Sequence, residues 1–274
     1  MKKANTRKEI FVYAHWSEIK VPTLMGTLYS EIIKGKEIFS FVYSNEWLKS
    51  KYSQVIDPDL QLYSGTQYIN GSRDNFGIFL DSSPDRWGRI LMKRYEAALA
   101  RMEKRTENTF FESDFLLGVF DEHRMGGLRF KEDINGPFMN NNRKFAVPPW
   151  TSLSELEQTS LKIESDDVIY DPEYLNWLNM LIAPGSSLGG ARPKASVIDK
   201  TGDLWIAKFP SAHDEKDKGG WEMVVHDLGD ECGLNVPEAK LEKFANKFQT
   251  FLVKRFDRKK NERIHNLENC LFLQ

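Results

Sequence analysis

The sequence predicts an α+β chain, and three patterns carry that prediction. Short runs of β-branched and aromatic residues, punctuated by Gly, Pro, Lys and Ser, fill residues 9–43. Helical periodicity and helix-start signals then take over in segments 83–101, 151–165 and 171–183. Between residues 190 and 256 the pattern is strand, turn, strand, helix and two more strands. Strands grouped together, with helices set apart from them, belong to α+β architectures and not to alternating βαβ ones.

In order, Ile10 to Ala14, Leu24 to Tyr29 and Ile38 to Tyr43 read as three strands of a small antiparallel sheet, followed by a short helix start at Ser44. Ser83 is the expected N-cap of the next helix, with Pro84 at its first position. Trp87, Ile90, Leu91, Arg94 and Tyr95 then repeat on one face. Asp85 and Arg86 read as a first-turn acid favoured by the helix dipole and an arginine ordering the neighbouring loop. Phe110 to Val119 is a second apolar segment, and Arg124 to Phe130 runs through two glycines into a strand.

Residues 131–150 carry Gly136-Pro137, three consecutive asparagines and Pro148-Pro149, and read as a linker. Ser152 and Glu155 have capping-box spacing for a helix reaching Ser165. Asp171 and Pro172 start another, with Leu175, Leu178 and Ile182 as its buried stripe and Pro184-Gly185 as its end. From Trp221 to Cys232 a helix repeats Trp221, Val224, Val225, Leu228 and Cys232 on one face. Glu222 lies one position off that stripe, and Gly233 suits the position after the helix end. Lys240 to Phe244 and Thr250 to Phe256 close the pattern as strands. The division expected from this reading is 1–130, a linker at 131–150, and 151–274.

The 274 residues suffice for one large or two ordinary domains. A net charge of −2 gives the whole molecule no general attraction to nucleic acid. Cys232 and Cys270 are far apart and lack metal-ligand spacing, which fits a reducing compartment and no disulfide framework. The basic start is followed by an apolar run too short for a secretory signal, and no stretch approaches the roughly 18 apolar residues of a membrane span. A cytoplasmic location is expected. His15, His123, His213, His226 and His265 form no metal-like cluster.

The segment Gly185 to Ala195 holds glycines, serines and then basic residues, and leads through Asp199-Lys200-Thr201-Gly202-Asp203 to a strand ending Ala207-Lys208-Phe209. A Gly/Ser loop, a strand, a tight turn and a second strand bearing a lysine is the layout of a cradle for nucleotide phosphates. Backbone N–H groups approach phosphate oxygens where no Cβ intervenes, and the strand lysine supplies a point charge. An ordinary hairpin with a solvent-facing lysine has the same spacing, so both readings stand on spacing alone.

Five blocks go further than spacing. Ser187-Leu188-Gly189-Gly190-Ala191-Arg192-Pro193-Lys194-Ala195, Leu204 to Ser211, Trp221-Glu222, Gly233 to Glu238, and Phe251 to Arg258 resemble the HipA family, bacterial toxin serine/threonine kinases of type II toxin–antitoxin systems. Phe79 to Gly88 and Arg124 to Phe130 resemble that family's N-terminal region. The resemblance implies a HipA-like N-terminal subdomain followed by a protein-kinase-like N-lobe. It also implies use of ATP and Mg²⁺, and phosphorylation of a translation-related protein such as an aminoacyl-tRNA synthetase. A small DNA-binding, HipB-like antitoxin is the implied partner.

Residue by residue, the resemblance makes Lys208 the strand lysine that pairs with nucleotide phosphates and Glu222 its helix partner. Gly189, Gly190 and Lys194 become the phosphate-loop segment, Ser187 the regulatory autophosphorylation site, and Lys254, Arg255 and Phe256 the hinge that offers backbone groups to adenine. The family's catalytic aspartate and its metal-binding Asn and Asp lie well beyond the hinge. Only sixteen residues follow Arg258, and none of them forms such a loop. The expectation is a chain truncated before the catalytic C-lobe, with no catalytic or metal-binding residue and no activity alone. The alternatives are a binding module for antitoxin or for a full-length kinase, and the N-terminal half of a split kinase.

Overall fold

The computed structural model describes residues 7–140, 148–185, 190–259 and 262–264. In chain order the elements are β1 (Lys8–Ala14), β2 (Thr23–Ile33), β3 (Lys36–Tyr43), α1 (Asn45–Lys49), β4 (Gln67–Tyr68), α2 (Gly77–Asp81), α3 (Arg86–Met102), α4 (Glu112–Gly118) and β5 (Leu128–Lys131). Then come α5 (Leu153–Glu164), α6 (Tyr174–Gly185), β6 (Lys194–Ile198), β7 (Leu204–Lys208), α7 (Lys218–Glu231), β8 (Ala239–Glu242) and β9 (Thr250–Lys254). Both larger sheets are antiparallel, as in an α+β fold.

The chain forms two compact units, each discontinuous in sequence: Met1–Ser83, Phe110–Asn141 and Glu262–Gln274 in one, Pro84–Thr109 and Asn142–Asn261 in the other. Helix α3, read from sequence as part of the first 130 residues, belongs to the second unit. Its apolar face decides this, because Trp87, Leu91 and Ala98 join Tyr174, Leu178 and Leu181 of α6 in one core.

In the first unit the strand order is β4-β3-β2-β1-β5. One face of the sheet buries Ile10, Val12, Leu28, Phe39 and Phe41 against Trp47 of α1 and Phe79 of α2. Each fully buried large apolar side chain contributes about 1.5–3 kcal/mol. Ser44 caps α1 as expected, accepting the Trp47 N–H at 3.0 Å. Ser83 does not cap α3. Its hydroxyl donates to the Phe79 carbonyl at 2.8 Å and finishes α2 instead. Asp85 is the α3 N-cap, its carboxylate accepting the Arg86 N–H at 2.7 Å.

In the second unit the order is β6-β7-β9-β8. Ala195 and Val197 of β6, Trp205 and Ala207 of β7 and Leu252 of β9 point to the face covered by α5 and α6. Period-2 alternation therefore puts Lys194, Lys208 and Phe251 on the other face, where α7 packs on β8 and β9. The Ser152–Glu155 capping box does not form: Ser152 makes no side-chain cap, because Trp150–Ser152 already winds as a 3₁₀ turn into α5. Helix α6 starts at Tyr174, not at Pro172, and Asp171 accepts the Glu173 N–H at 2.8 Å in the turn before it.

The apolar stripe of α7 is not in the core. Trp221 is 61% exposed and Val225 67% exposed. The helix instead presents Gly219, Glu222, His226 and Gly229 to the sheet side, a spacing of three, four and three residues. Only Gly219 is fully buried among the described residues of α7, and a Cβ there would lie 2.3 Å from the Gln249 carbonyl oxygen. Close seating on the backbone of the Gln249–Phe251 segment selects the small and polar face.

Candidate functional site

Antiparallel register sets Lys194 of β6 directly opposite Lys208 of β7. Like charges opposed across a strand pair repel, so the sheet holds this arrangement only with carboxylates near it. Helix α7 supplies one: Lys208 Nζ donates to Glu222 Oε2 at 2.5 Å. Both side chains are about one-third exposed, at 35% and 33%, so the pair adds under about 1 kcal/mol to stability. Its consequence is geometric: it fixes the ammonium near the Phe251 ring, 5.5 Å from the centroid.

Glu222 is placed by the start of α7. Asp217 caps the helix through the Gly220 N–H at 2.9 Å, and its other oxygen accepts from the Gln249 side-chain amide at 3.1 Å. Burial would raise the Asp217 carboxyl, but these hydrogen bonds prevail and hold it below the usual range.

Lys194 is 3% exposed. Burial first, and the Lys208 ammonium second, pull its own ammonium down to about 8, against Asp85 and Glu222, which favour the charged form. Gly190 lies against it. The residue has φ +90°, and a Cβ there would come within 2.7 Å of Lys194 Nζ. Glycine therefore serves twice, in a backbone conformation that side chains rarely adopt and in leaving room for the ammonium. The first turn of α3 grips the same residue: Asp85 Oδ2 accepts the Gly190 N–H, and the Trp87 N–H donates to the Gly190 carbonyl at 3.2 Å.

Arg192 completes the cluster. Its guanidinium forms a two-pronged pair with Asp214, one bond being 2.8 Å, and Asp214 also accepts the Ser211 N–H at 2.8 Å. Burial opposes the Asp214 charge, yet the Arg192 hydrogen bond keeps its carboxyl below the usual range.

The structure thus brings Gly190, Lys194, Lys208 and Glu222 together. Ser187 and Gly189 lie outside the described residues. Lys254 stands three positions along the strands, opposite Trp205 where Phe251 is opposite Lys208, or roughly 10 Å away at strand rise. Its side chain pairs with Asp203 at 2.5 Å and its N–H donates to the Glu238 carbonyl at 2.8 Å. Phe256 is half-buried in the turn after β9. Beside it Arg255 and Arg258 both hold the buried Asp257, at 2.7 and 2.6 Å.

Sequence reasoning missed Arg192 and Asp214, and read Asp85 only as a helix-start acid. Asp85 and Gly190 are 105 positions apart, and no local pattern joins them. A position two residues before Lys194 is the one sequence signal that could have marked Arg192.

Chemically the cluster offers two neighbouring ammonium groups and a glycine backbone beside a capped helix start. Such a donor set fits a polyphosphate. Among the described residues no group of three or more His, Cys, Asp or Glu is placed to hold a metal ion. No helix among them is long and apolar enough to cross a membrane.

Fold and site together define an α+β protein with an antiparallel sheet whose strand lysine pairs with a helix glutamate. Residues 186–274 match the family described as the HipA-like C-terminal domain. A chain of the solved Shewanella oneidensis MR-1 toxin–antitoxin complex of HipA, HipB and operator DNA is similar at 15% identity and a TM-score of 0.44. The similarity covers 91% of this chain and 51% of that one, so this chain spans about half the length of the solved one. No curated protein matches.

Proposed function

We propose that the second unit is the nucleotide-binding lobe of a HipA-like serine/threonine protein kinase. One observation carries the reading: Lys208 is held by Glu222 at 2.5 Å on the face where Lys194 and Gly190 converge. Lys208 and Lys194 would hold the phosphates of ATP, and the Gly190 backbone would lie along them. Mg²⁺ would arrive on the nucleotide, since it keeps waters and phosphate oxygens as ligands. Its chemistry there would be to neutralise phosphate charge. Glu222 orients Lys208 and takes no proton. Phosphoryl transfer needs an aspartate base and metal-binding Asn and Asp side chains in addition to this cluster. The HipA resemblance would make the substrate a protein of the translation machinery, such as an aminoacyl-tRNA synthetase, and the partner a HipB-like DNA-binding antitoxin.

The test is titration calorimetry of ATP·Mg²⁺ on the wild type and on Lys208→Ala. Saturable binding that is lost in the variant is expected. Equal binding by both would remove Lys208 from the site, and no binding by either would end the nucleotide reading. A second reading, a binding module for antitoxin or for a kinase chain, is favoured by the exposed Trp221, Val224, Val225 and Leu228 stripe. Antitoxin binding without ATP binding would select it.

A further inference from the structure

Three cations share the cluster: Arg192 pairs with Asp214, Lys208 pairs with Glu222, and Lys194 is buried beside them. A further carboxylate, that of Asp85, is exposed. One of its oxygens caps the Arg86 N–H at 2.7 Å and the other accepts from the Gly190 N–H. It also sits close enough to Lys194 to favour that ammonium's charge. A carboxylate that accepts a glycine N–H beside a buried lysine makes the same contacts as a phosphate oxygen would. The Trp87 N–H on the Gly190 carbonyl keeps that glycine in place independently of Asp85.

We infer that Asp85 is a built-in competitor for the anion site. Its carboxylate holds the Gly190 N–H that a phosphate of the ligand would take, so binding must displace Asp85 and affinity is set below what the cluster could reach. This rests on the nucleotide reading above and adds its regulation. Displacement is inexpensive because Oδ1 can keep the helix cap while Oδ2 lets go. It costs one hydrogen bond, and the phosphate replaces it with a charge-assisted one.

The probes are inorganic pyrophosphate and ATP·Mg²⁺, titrated into the full chain as wild type, Asp85→Asn and Asp85→Ser. Asparagine and serine cap helices about as well as aspartate, so α3 is kept while the competing charge is removed. Both variants are expected to bind about tenfold more tightly than wild type, the effect of deleting one nearby like charge. The Gly190 amide resonance should shift on pyrophosphate addition in all three. Equal or weaker binding by both variants, with thermal stability unchanged, would show that Asp85 only positions the loop and overturn the inference alone. No binding of either probe by any chain would overturn the nucleotide reading and the competitor with it.

Discussion

Replacing Gly219 by alanine tests how α7, and with it Glu222, is seated. A Cβ at this position would stand 2.3 Å from the Gln249 carbonyl oxygen, 3.1 Å from its carbon and 3.2 Å from the Phe251 nitrogen, all backbone atoms. To reach ordinary contact the helix must move about 1 Å off the sheet, because no flexible side-chain end can yield. Overpacking of this kind costs about 1–3 kcal/mol. Alanine's helix preference over glycine returns at most about 1 kcal/mol, and less in a first turn. The net loss is about 1–2 kcal/mol, which lowers Tm by about 2–8 °C at this chain size. Gly229→Ala is the internal control. Its Cβ would meet Val236 at 3.4 Å and Leu234 at 3.8 Å, ordinary contacts, so only the helix preference is left and Tm should rise by a few degrees. Thermal unfolding followed by circular dichroism reads both. Gly219→Ala as stable as wild type, or both variants moving in one direction, would refute the close-seating argument.

Asp257 supplies the carboxylate shared by two buried guanidinium groups, those of Arg255 and Arg258. Asp257→Ala should therefore cost about 3–5 kcal/mol in urea unfolding, and a loss below 1 kcal/mol would contradict the buried cluster. Lys194, drawn down to about 8, gives up its proton more readily in the folded chain than in the unfolded one. Between about pH 8 and 10.4 the unfolded chain binds more protons, so stability rises with pH across that window by up to about 3 kcal/mol. Anion binding should fall over the same window as the ammonium deprotonates. Lys194→Met, compared at pH 7.5 and 9.5, should lose both slopes. Val225→Gln and Leu228→Gln, on the exposed stripe of α7, should change stability by no more than about 0.5 kcal/mol. A loss of 2 kcal/mol in either would mean the stripe is packed.

Much of the second unit was legible because it rests on local signals. The turn at Asp199 to Asp203 reads directly as a hairpin, and Asp199 indeed accepts both the Thr201 and Asp203 N–H groups at 2.8 and 3.0 Å. The strands at residues 10–14, 24–29 and 38–43 were legible for the same reason, each carrying its own alternation within one run. Helix starts were less so. Ser83 and Asp85 are both good caps two residues apart; Ser83 bonds back one turn to the Phe79 carbonyl, and Asp85 takes the Gly190 N–H, a partner 105 positions away that no local pattern points to. The stripe of α7 misled because periodicity reports which residues share a face, not which face meets the sheet.

The sequence by itself determined the α+β class, the two lysine-bearing strands and the glycine before them, because alternation, turn chemistry and glycine requirements act over a few residues. It also carried the HipA resemblance, through blocks spread along the chain. Only the tertiary structure decided that Lys194 faces Lys208, that Glu222 and not its apolar neighbours turns inward, and that α3 belongs with the second unit and brings Asp85 to Gly190. Those outcomes depend on register and on close backbone approach between segments far apart in the chain. Contacts of that kind are settled by shape and charge in three dimensions, and nearest-neighbour preferences do not encode them.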